Sequence, residues 1–134
     1  MALLHRPIAA LGLPRGILPN RRAANAALLR VFSRARRHGH ALLLLRVAGE
    51  GGMPLPAAFL EAVAAEIRIG DLAWCEPGAE LLLLLEDTEE GAAVAVRLRE
   101  RAAVHGLALR LHQAQFPRQS LTLEALLTEA GWRA

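Results

Sequence analysis

The chain has no lysine and no tyrosine, a single cysteine, and aromatic residues at only 4% of its length. Each shortage excludes something. One cysteine cannot build an internal disulfide framework and fits a reducing compartment; Cys75, set in a predicted strand, is expected to be a buried, inert thiol. So few aromatics cannot make a stacking platform for single-stranded nucleic acid, and a net charge of +3 gives no basic surface that argues for nucleic acid at all. The longest apolar run, the leucines at 81–85, is far too short to insert in a membrane. The Met1–Gly12 segment is mildly apolar but broken by His5, Arg6 and Pro7, so it lacks a signal-peptide core, and a cytoplasmic location is expected.

What is present is a hydrophobic chain of 134 residues, 54% apolar and 22% charged, which suits one domain around one core rather than disorder. All 16 basic residues are arginine. Biased coding accounts for that, but the consequence is physical: every cation is a planar, bidentate donor suited to phosphate and guanine edges.

Residues 1–12 read as an irregular lead-in and residues 13–134 as the domain. Asn20 is placed to cap a helix reaching about residue 37, with Ala24, Leu28, Val31 and Phe32 at helical spacing. His38-Gly39-His40 ends it, and two histidines without a third ligand read as a solvated helix C-terminus rather than a metal site. Residues 41–47 form a strand apolar on both faces, as in a sheet covered on both sides. A loop over 49–56 leads to a helix at about 57–68. Two apolar runs on either side of Pro77-Gly78 predict an antiparallel hairpin. Thr88 is a candidate N-cap for a helix to about His105, closed by Gly106. A strand at 107–114 and a helix at about 120–132 complete the order α-β-α-β-β-α-β-α, a ferredoxin-like arrangement. Trp74 and Trp132 are read as packing residues, and His112 as a half-buried strand histidine.

The hairpin tip Pro77-Gly78-Ala79-Glu80-Leu81 stands where a known signature reads Gly-Gly-Asp/Glu-Glu-Phe, and Arg68-x-x-Asp71 lies upstream at the matching distance. Together with Leu18-Pro-Asn-Arg-Arg22, similar to the Leu-x-Asn-Arg-Arg that opens the first helix, these positions resemble the GGDEF family of diguanylate cyclases. The resemblance implies an α/β sandwich, a nucleotidyl-cyclase palm with helices on both faces of an antiparallel-containing sheet.

It also implies what is missing. The family's strand ends in Asp-x-Asp, whose first member helps hold the catalytic magnesium; here those positions are Arg46 and Ala48. The third residue of the tip is Ala79, and the segment that recognises GTP has no counterpart. Glu80 is left as the lone carboxylate, and one carboxylate facing a guanidinium cannot hold two hard cations. No catalytic residue, no cofactor and no magnesium are therefore expected. Arg46 is expected to pair with Glu80 as an internal substitute for the lost ions, the competing view being that it reaches solvent.

The resemblance further implies that Arg68 and Asp71 form the inhibitory site that binds cyclic di-GMP, assisted by a second arginine, Arg97 or Arg99. The bland alternative is a local ion pair at a helix end. The expected function is that of a degenerate, non-catalytic cyclic di-GMP receptor, with a protein partner or a homodimer. The alternative is a nucleotide-independent scaffold in a signalling or secretion assembly; residual GTP binding without turnover is weaker still.

Overall fold

The computed structural model describes residues 13–76, 80–88, 91–117 and 122–129. Its elements are β1 (Ile17–Leu18), α1 (Arg21–His38), β2 (Leu42–Gly49), a 3-10 turn (Glu50–Gly52), α2 (Ala57–Glu66), β3 (Leu72–Glu76), β4 (Glu80–Glu86), α3 (Gly91–Val104), β5 (Leu109–Phe116) and α4 (Leu123–Glu129). The expected order is present, with one addition. Ile17-Leu18, for which no strand was expected, pairs in parallel with Ala73 and Trp74, because Ile17 has a place in the core. The expected lead-in at 1–12, the tip Pro77–Ala79, and Trp132 lie outside the described residues.

The five strands run in the order β1-β3-β4-β2-β5, and β2 is antiparallel to both its neighbours. Central strands need apolar residues on both faces, which is why β2 and β4 are leucine runs. Leu43, Leu45, Val47, Leu81 and Leu83 point to one side and pack with Phe59 and Val63 of α2 and Val94, Leu98 and Ala102 of α3. Leu42, Leu44, Leu82 and Leu84 point to the other, joined by Trp74, and meet Leu28, Val31 and Phe32 of α1 and Leu126 and Leu127 of α4. Each fully buried leucine contributes about 1.5–3 kcal/mol, so this two-sided sheet carries most of the driving force. Trp74 is fully buried, as expected of a packing residue.

The helix ends follow their residues. The Asn20 side chain accepts from the Ala23 N–H at 2.9 Å, and Gly39 closes α1 in the left-handed region at φ 71°. Several boundaries differ from expectation; among them, β5 begins two residues later than expected and β2 continues to Gly49. Cys75 is half-buried rather than buried. His112 is exposed rather than half-buried, since the helices do not cover its end of the sheet.

Candidate functional site

Helix α2 ends at Glu66, two residues short of expectation, and Ile67 turns extended at φ −69°, ψ 132°. Arg68 therefore lies beyond the helix, and Gly70 takes φ 103°, a conformation open to glycine and strained for other residues. This sharp turn returns Asp71 to the Arg68 backbone. The Arg68 N–H donates to Asp71 Oδ2 at 3.1 Å, and its Nε donates to the same oxygen at 3.2 Å. The pair is real, but it is not the helical i,i+3 contact that the bland alternative supposed.

More than a local pair results. The Glu86 N–H donates to Asp71 Oδ1 at 2.9 Å, while Arg68 Nη2 donates to the Glu86 carbonyl at 2.6 Å and to Thr88 Oγ1 at 3.1 Å. Arg68 and Asp71 thus clasp the C-terminal end of β4. The Asp71 carboxylate is only 3% exposed, and the Arg68 side chain is 59% exposed. Thr88, expected as a helix cap, gives its hydroxyl to the Glu86 carbonyl at 3.2 Å. Glu86 in turn accepts from Arg34 Nε of α1 at 2.7 Å, which ties the clasp to the opposite face of the sheet.

Beside the clasp lies a groove of about 230 Å³ between α2 and α3. Arg68, Asp71, Arg97, Arg101 and Glu66 are among its lining residues, over an apolar floor that includes Val63, Leu83 and Leu98. Helical geometry puts Arg97, and not Arg99, on the groove. Arg97 and Arg101 are four apart and share the groove face. Arg99 is absent from that lining; its Nη1 donates to the Leu109 carbonyl at 2.7 Å, at the start of β5. Arg101 pairs with Glu66 across the groove. Sequence reading missed both Arg101 and Glu66; the i,i+4 spacing from Arg97 was the available signal.

At the other end of the sheet, Arg46 Nη2 and Nε donate to Glu80 Oε2 at 2.6 and 3.0 Å, the pair expected from the sequence. Both side chains are about a quarter exposed, at 26% and 23%. Among the described residues no three His, Cys, Asp or Glu side chains gather to hold a metal ion. A carboxylate already engaged by a guanidinium, beside Arg110 and His112, is a poor donor set for a hard divalent cation.

Neither a protein-family model nor a curated protein matches this chain. Solved structures do. A DGC protein from Thermotoga maritima superposes with a TM-score of 0.74 at 11% identity, over 87% of this chain and 95% of that one. The GGDEF domain of DgcB from Caulobacter crescentus, in complex with c-di-GMP, gives 0.66 at 13% identity, over 96% and 86%. The diguanylate cyclase SiaD from Pseudomonas aeruginosa, in complex with its activator SiaC, gives 0.65 at 23% identity, over 85% of this chain and 52% of SiaD. The chain has the fold of GGDEF domains, with a mixed five-stranded sheet and helices on both faces.

Proposed function

We propose that this chain is a catalytically inactive, GGDEF-like signalling domain that receives cyclic di-GMP in the α2–α3 groove. The observation that carries this reading is the convergence of Arg68, Arg97 and Arg101 with Asp71 on one apolar-floored groove. Guanidinium forks bind phosphate oxygens and guanine acceptors, and a carboxylate accepts from guanine N–H groups. The GGDEF domain of DgcB, similar in fold, carries the same dinucleotide. Inactivity rests on the other end of the sheet, where Arg46 stands at the family's metal position and engages the Glu80 carboxylate.

The experiment is calorimetric titration with cyclic di-GMP, with GTP and magnesium as control. Arg97→Ala is a cleaner variant than Arg68→Ala, because Arg68 also clasps β4 whereas Arg97 makes no ion pair among the described residues. Loss of one charge-assisted contact is expected to weaken binding about tenfold or more. Silence toward the dinucleotide overturns the receptor reading, and turnover of GTP overturns inactivity.

One observation favours a second reading, a nucleotide-independent docking module. The Nε and Nη2 of Arg68 are already satisfied inside the protein, while Ile69 beside it is fully exposed. In that case the clasp is structural and the apolar Ile69 turn faces a protein partner. SiaD, similar in fold, is found with its activator protein.

A further inference from the structure

We propose that the outer face of α3 joins two copies of this chain directly, as an antiparallel twofold dimer that needs no nucleotide. Ala93, Arg97, Glu100 and Val104 are all exposed and recur at spacings of four, three and four, which sets them in one straight seam along the helix. Val94, Leu98 and Ala102 turn the other side of α3 to the core. Val104, 80% exposed, is the most exposed large apolar side chain on the described helices, and Val96, 54% exposed, flanks the seam. Exposed valines alone do not name a partner. The charges between them do.

Arg97 and Glu100 stand three apart on this face, yet neither makes an ion pair among the described residues, with the other or elsewhere. A cation placed N-terminal to an anion is the poorer order for pairing within one helix. A twofold axis across the helix changes that. In an antiparallel pair centred between Leu98 and Arg99, Arg97 of one protomer faces Glu100 of its partner, and symmetry repeats the contact. The same register sets Ala93 against Val104 at both ends, a small residue against a branched one. The seam is thereby complementary to itself in charge and in size. A parallel pair would set each arginine beside its own copy and each glutamate likewise, so the charges fix direction as well as register.

Four residues on a helix of 14 make a small interface, and a dissociation constant on the order of 100 μM is expected. Sedimentation equilibrium of the whole chain, without nucleotide and at concentrations on both sides of that value, measures it. Glu100→Arg opposes arginine to Arg97 and is expected to weaken association about tenfold or more, as is Arg97→Glu. The double variant restores the pair with its signs exchanged, and its association is expected to return to within about threefold of the parent. Val104→Glu is expected to leave a monomer. These positions are exposed, so the variants fold. A parent chain that stays monomeric, a dimer that survives Glu100→Arg or Val104→Glu, or a double variant that fails to recover would each overturn the seam. Because the measurement uses no ligand, silence toward cyclic di-GMP leaves the dimer standing, and failure of the dimer leaves the groove standing.

Discussion

The two arginine–carboxylate pairs at opposite ends of β4 look alike in a list of contacts and differ in what they do. Arg68–Asp71 joins residues three apart, and its carboxylate, 3% exposed, accepts from two backbone N–H groups as well as from the side chain. Arg46–Glu80 joins residues 34 apart, with both partners about a quarter exposed and the pairing side chain to side chain. The first is a fastener of the backbone that also borders a groove. The second neutralises one carboxylate on a basic corner. A carboxylate buried among N–H donors cannot be removed without orphaning them, whereas a partly exposed one leaves water to take its place.

Asp71→Ala is accordingly expected to be the most damaging change at either end. It strands the Glu86 and Arg68 N–H groups and releases the β4 terminus, at a cost of about 2–4 kcal/mol. Urea unfolding measures it. A loss no greater than that of Glu80→Ala would erase the distinction just drawn.

Gly70→Ala probes the same fastener through the backbone. A side chain at φ 103° is strained, and its Cβ would lie 2.5 Å from Glu86 Oε1, pressing on the carboxylate that holds Arg34. We expect a destabilisation of about 1–2 kcal/mol. Stability unchanged by this substitution would mean that the Arg68–Asp71 turn relaxes freely and fastens nothing. At the other end, a double-mutant cycle over Arg46→Ala and Glu80→Ala should give a coupling of about 1 kcal/mol or less, falling with salt. A larger, salt-insensitive coupling would make this pair the equal of the first.

How much of this was legible in the residues follows from the range of the interactions. The leucine runs, Asn20, Gly39 and the Pro77-Gly78 turn are local signals, and the elements they announce are present wherever the chain is described. The Arg46–Glu80 pair was legible only because a family resemblance set β2 beside the hairpin; periodicity alone pairs no strands. Ile17-Leu18 was missed since a two-residue strand has no period to detect. The roles of Arg97 and Arg99 could not be separated without the turn of α3 that sends one to the groove and the other to the Leu109 carbonyl. Glu66 was missed because its partner lies on another helix, and pairing between helices leaves no trace in sequence spacing.

That last pair offers the smallest expected effect on stability, with an effect on binding opposite in sign to that of Arg97→Ala. Arg101 and Glu66 are largely exposed, at 51% and 39%, so Glu66→Gln should change stability by no more than about 0.5 kcal/mol. If cyclic di-GMP occupies the groove, its phosphate competes with Glu66 for Arg101, and the parent chain binds against that competitor. Removing the charge returns what a surface pair is worth, so affinity should rise about twofold to fivefold by calorimetry. Arg101→Ala should lower it instead. Affinity that falls in Glu66→Gln would show that Glu66 steadies Arg101 for the ligand, and the groove would then be preorganised rather than self-blocked.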